Sequence, residues 1–411
     1  MGEILFLCHR IPFPPDRGDK IRSHHILRRL AELAPVHVAT FADDEGDAAA
    51  EAALAQLAAS YRLVQRSKPL PLAGLQALVR HCPVSLAAFH DRSLAAYVAE
   101  VIATRPIAAI FVFSGQMGQY VPEHFRGRVI VDFVDVDSAK FGAYAAKSGW
   151  PMRWVHAREE RLLRAEEARL AARADASLLV TPEEARLFAD RLPVILRASV
   201  DVQALRNGID SLHFDPARVP PEPRLQDCTG PRLIFTGQMD YAPNIAAVLR
   251  VADRILPLVR RELPEATFHV VGRNPSREVL ARNGRGGCHV WGRVEDMRPW
   301  LKGSDLALVP LDIARGVQNK VLEAMAMALP LVLTGEAATG IDAVNGRDFA
   351  IADSDVALAK TVVALLRDRE RAAAMGRAAR HFVIENASWK SVLAALPDIL
   401  GMPEKTVRDA A

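Results

Sequence analysis

Residues 315–335 read "RGVQNKVLEAMAMALPLVLTG". A glycine turn leads into apolar positions at helical spacing, and the Leu329-Pro330 step closes that run and opens the short strand "LVL". Helix, proline step and buried strand together are a repeating unit of a parallel α/β sheet. One residue resists a purely structural reading. Glu323 stands among apolar side chains, with Lys320 one turn before it, and a carboxylate is costly to bury unless something compensates its charge. Either the segment is less buried than it looks, or Glu323 has a partner that the segment does not supply.

The same alternation extends through the whole chain. "EILFLC" (3–8), "VHVATF" (36–41), "IAAIFVF" (107–113), "VIVDFV" (129–134) and "ASLLV" (176–180) read as strands buried on both faces. Helical patterns lie between them at 20–34, 44–59, 91–104 and 153–173. After Val180, Thr181 and Glu184 form a capping box and Pro182 takes the first helical position. A second series follows at 232–237, 267–272, 288–292, 306–310 and 330–335. Between the two series, residues 214–232 carry five prolines and no periodicity, as a linker does. The fold class is therefore α/β, with two doubly wound Rossmann-like domains facing a central cleft. The first spans 1–210 and is completed by a C-terminal helix at 386–405; the second spans 211–385.

A chain of 411 residues suits two cores better than one. Half the residues are apolar, a quarter are charged and the net charge is +3, which excludes disordered and fibrous classes and gives no sign of a nucleic-acid partner. Basic residues gather near the N-terminus at Arg10, Arg17, Lys20, Arg22, Arg28 and Arg29 and suit phosphates or an anionic membrane. Cys8, Cys82, Cys228 and Cys288 have no zinc or disulfide spacing and fit a reducing compartment. With no long apolar run and no signal peptide, the expected location is the cytoplasm, with contact to the cytoplasmic membrane face left open.

In open α/β sheets ligands bind beyond the carboxyl ends of the strands. Gly237, Gly272, Gly292 and Gly316 mark such turns in the second half, where glycine allows close backbone approach and a helix start can hold phosphate oxygens. There is no GxGxxG after the first strand of either half and no GxxxxGK[ST], which disfavours nicotinamide enzymes and P-loop NTPases. A helix beginning near Gly316–Asn319 puts Lys320 in its first turn and Glu323 on roughly the same face. A diphosphate there would meet N–H groups, the positive dipole end and an ammonium, leaving Glu323 to accept hydrogen bonds from hydroxyls such as those of a ribose. The competing reading is a solvated ion pair worth a few tenths of a kcal/mol, which sits poorly in "VLEAMAMALPLVL".

"GVQNKVLEAMAMALPLV" resembles the signature of retaining nucleotide-sugar glycosyltransferases of family 4, the group 1 type. "LRNGID" (205–210), "GRVEDMRPWL" (292–301) and "GQMDYAPN" (237–244) resemble further motifs of that family, so the likeness runs along nearly the whole chain. "HRIPFPPDRGDKIRSHHIL" and "ARGVQNKVLEAMAM" look most like the sugar transferases associated with the PEP-CTERM/exosortase system. The resemblance implies a GT-B fold, with a nucleoside-diphosphate sugar in the second domain and a glycan or lipid-linked acceptor in the first. It further implies transfer with retention, a role in exopolysaccharide biosynthesis, and neither cofactor nor metal.

Residue by residue, the resemblance implies that Lys320 neutralises the leaving diphosphate and Glu323 holds the ribose. Gly237 and Gln238 would line the phosphates, backbone at Arg293 and Val294 would meet the base, and Gly316, Val317, Gln318 and Asn319 would form the turn around the donor. Trp389 resembles the segment that crosses back to the first domain. Two departures stand out. Arg315 occupies the place of a frequent glutamate, and the usual Arg and Lys of the phosphate loop are absent, which brings Arg273 and Lys320 forward as phosphate partners. In the first domain, "PFPPDRGDKIRS" resembles the acceptor loop, with Gly18, Asp19, Lys20 and Arg22 facing an anionic acceptor. "VDFVDVD" contains Asp135-Val136-Asp137, formally a DxD; with this architecture Asp135 reads as a catalytic cleft residue rather than a metal ligand. A GT-B epimerase or phosphorylase, or a non-catalytic glycan or nucleotide-sugar binding protein, is the alternative, and Arg315 keeps the last of these open.

Overall fold

The structure is a computed structural model that describes residues 2–314 and 316–402. Arg315 and positions 403–405 of the expected closing helix lie outside the described residues. The chain divides into two compact domains, with boundaries between Asn207 and Gly208 and between Ser391 and Val392. The last described residues thus belong to the first domain: a Cβ on Gly401 would lie 2.8 Å from Cδ of Arg128.

The first domain is a seven-stranded parallel sheet. Its strands are β1 (Glu3–Cys8), β2 (Val36–Ala42), β3 (Ser60–Gln65), β4 (Ile107–Phe113), β5 (Arg128–Val134), β6 (Ala176–Leu179) and β7 (Val202–Ala204), in the order 3-2-1-4-5-6-7. The second is a six-stranded sheet of β8 (Arg232–Thr236), β9 (Thr267–Val271), β10 (Cys288–Gly292), β11 (Leu306–Val309), β12 (Leu331–Leu333) and β13 (Ala350–Ile351), in the order 10-9-8-11-12-13. All the pairings are parallel. Strand order reverses between β1 and β4 and again between β8 and β11, which are the places where such sheets open a crevice for ligands.

Strands covered on both faces are mostly apolar, with an occasional paired polar residue such as Asp132 on β5, and those are the runs visible in the sequence. The strands that were not visible are β3, β7 and β13, which lie at sheet edges. β3 is nowhere fully buried, and β7 and β13 are two or three residues long. The run 44–59 is broken into Glu45–Ala49 and Glu51–Leu57, after which Ser60 opens β3. The expected capping box forms by half. Thr181 accepts from Glu184 N at 3.1 Å, but the Glu184 carboxylate accepts instead from Val136 N at 2.9 Å and ties two βα turns together.

The proline-rich stretch 214–232 is not a linker between the domains. It lies wholly in the second, where Val219 and Leu225 are buried and Glu222 N donates to Pro299 O. Prolines there shape a close surface crossing rather than a free tether. The chain instead enters and leaves the second domain through adjacent segments: Ile209 N donates to Ala387 O and Trp389 N donates to Ile209 O. Trp389 is buried here, and a Cβ on Gly208 would come within 2.6 Å of its backbone nitrogen.

In the first domain Arg22, on the helix Gly18–Leu33, reaches the middle of the sheet. Its guanidinium donates to both oxygens of Asp132 on β5 at 2.8 and 3.2 Å, and to Asn207 Oδ1 at 2.9 Å. Both Arg22 and Asp132 are fully buried, and burial pushes the Asp132 carboxyl up while Arg22 pulls it down. Breaking such a pair strands a charge. Arg22→Met is expected to lower first-domain stability by about 3–5 kcal/mol, and Arg22→Met with Asp132→Leu by clearly less. Urea denaturation of the full chain checks this; equal losses would mean that Asp132 carries no stranded charge.

Candidate active site

The ends of β8, β9 and β10 are laced together by their turns. Gly237 N donates to Val271 O, Met239 N to Arg273 O, and Gly272 N to Gly292 O. The fit leaves no room for side chains at two of these glycines. A Cβ on Gly272 would lie 1.6 Å from Gly237 O, and Gly237 itself has a φ of +152°, with Asn244 Nδ2 2.9 Å and Lys320 Cε 3.3 Å from its would-be Cβ. The backbone at Gly237 is therefore the thin cover over a side-chain pair.

That pair is Asn244 and Lys320. Asn244, buried in the first turn of the helix Ala242–Arg250, donates to Gln238 O at 2.8 Å and accepts from Lys320 Nζ at 2.7 Å. Lys320 Nζ also lies 5.1 Å from the centroid of the Phe235 ring, over which a cation is attracted. It belongs to the helix Asn319–Ala326, whose N-cap Gln318 makes no side-chain cap; Val321 N donates to Gln318 O, and the N–H groups of Asn319 and Lys320 come too early in the helix to have an intrahelical acceptor. The loop before this helix is pinned from below by buried Arg250, which donates to Pro310 O and pairs with Asp312 and Asp355.

Lys320 and Glu323 are charged groups with too little water and no direct bond to each other. Burial pushes the Lys320 ammonium down to about 8, and Glu323 partly opposes this. Burial pushes the Glu323 carboxyl up to about 6, and Lys320 partly opposes that. The ammonium has spent one of its three donors on Asn244, a neutral partner, and the carboxylate is shifted by no hydrogen bond. Such a pair is poised to gain from an anion at Lys320 and hydroxyl donors at Glu323.

The neighbours expected from the sequence fall around this pair in part. Gln238 is exposed and its Oε1 accepts from exposed Arg273 at 3.0 Å. Gly316 has a φ of +63° and its carbonyl accepts from Gln318 Nε2; Val317 packs on Gly340; Asn319 is exposed. Arg293 is exposed and Val294 packs against the domain core just after β10. Asn244 and Arg250 were missed. Asn244 closes the quoted "GQMDYAPN", where an amide at a helix start is a readable signal; nothing marks Arg250 in the sequence as an internal strut.

The first domain gives a different result at the β1/β4 switch. Gly18 opens its helix with free space around it. Lys20 and Arg22, however, are not available to an acceptor. Lys20 is buried against Asp47 and Phe13 O, and Arg22 against Asp132. The awkward cluster of cations at a helix start is answered by the fold's own carboxylates. Asp19 bonds to Arg10 and lies 3.3 Å from His9 Nε2; burial pushes its carboxyl up, but His9 and Arg10 together hold it well below the usual range. His9 stacks on Phe113, with ring centroids 5.8 Å apart.

Asp135 is exposed just beyond β5, after Val134, whose φ of +68° is a strained conformation for a β-branched residue. Asp137 opens the next helix half-buried, and burial pushes its carboxyl up. Asp135, Asp137, Gly115 and Gln116 line one small pocket. Among the described residues no group of three or more His, Cys, Asp or Glu side chains is placed to hold a metal ion.

Residues 230–368 match the family described as Glycosyl transferases group 1. The chain is 31% identical over 163 residues to a GDP-mannose-dependent alpha-(1-6)-phosphatidylinositol monomannoside mannosyltransferase of Mycolicibacterium smegmatis, spanning 36% of this chain and 42% of that relative. In fold it is similar to Anabaena Alr3699/HepE, solved with UDP and glucose, at 13% identity and a TM-score of 0.61, covering 98% of this chain and 100% of that one. It is likewise similar to sucrose-phosphate synthase of Thermosynechococcus elongatus, at 14% identity and a TM-score of 0.59, covering 97% and 98%. The two Rossmann-like domains are those of the GT-B fold.

An anion at Lys320 needs the ammonium, and hydroxyls at Glu323 need the carboxylate. Affinity for a nucleoside-diphosphate probe is therefore expected to fall as pH rises through about 8 and as it falls through about 6. Each limb should approach about tenfold per pH unit. Titration calorimetry across this range checks it: Lys320→Met should remove the upper limb and Glu323→Gln the lower. A flat profile for the unaltered protein would contradict the site.

Proposed function

We propose that the chain is a glycosyltransferase that moves a hexosyl group from a nucleoside diphosphate to a hydroxyl of a glycan or lipid-linked acceptor, with retention, in exopolysaccharide biosynthesis. The observation that carries this is the half-desolvated Lys320 ammonium, held by Asn244 beneath Gly237, with Glu323 one turn further on. The motif resemblance to the PEP-CTERM/exosortase-associated enzymes supports the biosynthetic setting. The mannosyltransferase relative acts with GDP-mannose and the HepE neighbour binds UDP, so both nucleotides belong in a donor screen.

In this reading the diphosphate lies at the start of the helix Asn319–Ala326, with Lys320 and Arg273 as its cations and Gly237 and Gln238 along it. Glu323 accepts from the ribose hydroxyls, and the base runs along the backbone at Arg293 and Val294. The bond between the anomeric carbon and the β-phosphate oxygen breaks as negative charge grows on that oxygen. Lys320 and the helix-start N–H groups stabilise the charge without moving, which is the term that lowers the barrier most. The acceptor hydroxyl attacks from the face that the phosphate leaves and gives its proton to the departing phosphate oxygen, so configuration is retained and no metal is needed. On the acceptor side Gly18, Asp19, His9 and Asp135 replace the buried Lys20 and Arg22 as candidate contacts. The enzyme works in the cytoplasm, at the membrane where a lipid-linked acceptor is held.

The test is release of nucleoside diphosphate from UDP- and GDP-sugars by the full-length protein in EDTA. One donor should turn over slowly, and Lys320→Ala and Glu323→Gln should each lower the rate by about 10²–10³-fold. Binding without turnover, under every donor and acceptor tried, would overturn the enzymatic reading.

A further inference from the structure

The helix Leu70–Val79, "LPLAGLQALV", is built the wrong way round for water. Its buried residues are Ala73 and Ala77, which pack on Ala87 and Ala88 of the following short helix. Its large residues point outward: Leu70 is 67% exposed, Leu75 60% and Val79 73%. A helix that hides alanines and shows leucines does not lower its free energy against its own domain.

A second apolar element lies beside it. The turn into the long helix Met152–Arg173 presents Trp150, 88% exposed, and Trp154, 59% exposed, with Met152 and Val155. One turn beyond Trp154, Arg158 donates to Ala77 O at 2.8 Å and to Cys82 O at 3.3 Å. Buried Glu159 accepts from Val84 N and Ser85 N. These bonds fix the end of the leucine-bearing helix against the start of the tryptophan-bearing one, so the two exposed sets form one surface.

The charges that these segments add to that surface are mostly cationic. Residues 66–82 contain Arg66, Lys68 and Arg80 and no Asp or Glu; residues 138–158 contain Lys140, Lys147, Arg153 and Arg158 and no Asp or Glu. Asp43 neutralises Arg66, and Arg158 is turned inward beside Glu159, which leaves Lys68, Arg80, Lys140, Lys147 and Arg153 as the cations without an ion pair among the described residues. Leucines with tryptophans at their margin and a rim of cations are what a helix needs to lie in the headgroup region of a bilayer. No helix among the described residues is long and apolar enough to cross one.

We propose that this face, the helix Leu70–Val79 together with the Trp150–Val155 turn, docks the first domain onto an anionic lipid bilayer without spanning it. The surplus of cations at Lys68, Arg80, Lys140, Lys147 and Arg153 favours an anionic lipid over a second copy of the chain, whose identical cations would repel it. The inference deepens the proposal of a membrane-held acceptor, yet stands on surface chemistry that the transfer reaction does not use.

Co-sedimentation of the full-length protein with vesicles tests it, phosphatidylcholine alone being compared with phosphatidylcholine mixed with phosphatidylglycerol. Binding to the anionic vesicles should be at least about tenfold tighter and should weaken with salt. Leu75→Gln with Trp150→Ser should reduce it by about tenfold or more, while leaving UDP affinity unchanged. Tryptophan emission should shift to the blue on binding. Vesicle binding that ignores these substitutions would overturn the proposal. So would an absence of binding accompanied by self-association that the same substitutions abolish, which would make the face a contact between copies. Failure here with intact release of nucleoside diphosphate would leave the transfer reaction standing; the reverse pattern would leave the docking face standing.

Discussion

A lysine can be desolvated only if something takes up its charge, and at the β8/β11 switch the protein supplies an amide rather than a carboxylate. Lys320 is bonded to Asn244, Asn244 to the carbonyl of Gln238, and the carbonyl of the preceding Gly237 presses on Gly272. The turns after three strands are shaped around one incompletely answered cation. Placing a carboxylate where Asn244 stands would satisfy the ammonium and cancel its value to an incoming anion.

The first domain shows what full satisfaction looks like. Lys20 meets Asp47, Arg22 meets Asp132, and Arg10 bridges Asp19 and Asp43. These cations hold the helix Gly18–Leu33 and the loops after β1 and β2 in place. The second domain treats Arg250 the same way, pairing it with Asp312 and Asp355, and departs from this rule at Lys320 and Glu323, which it leaves short of partners.

The buried strands were legible because a parallel sheet covered on both faces demands unbroken apolar runs, as in "IAAIFVF" and "LALVP". Edge strands such as β3 escape that demand and were invisible. Lys320 and Glu323 were legible because their charges contradict their surroundings. Lys20 and Arg22 misled for a related reason: sequence shows a cation at a helix start but not the carboxylate that meets it, and Asp132 lies 110 residues away from Arg22. Asn244 was in view within a quoted motif yet unassigned, because an amide carries no charge to draw attention. The leucine-bearing helix at 70–79 went unread altogether, since an apolar run looks the same whether it faces a core or the outside.

Lys320 and Glu323 are proposed to find their missing partners in one nucleoside diphosphate. A crystal structure of the full-length protein with UDP or GDP tests it most directly. The expected complex has a phosphate oxygen accepting from Lys320 Nζ at the start of its helix, and ribose hydroxyls donating to the Glu323 carboxylate. A nucleotide bound elsewhere, or one whose diphosphate and ribose leave both side chains as they are, would contradict it.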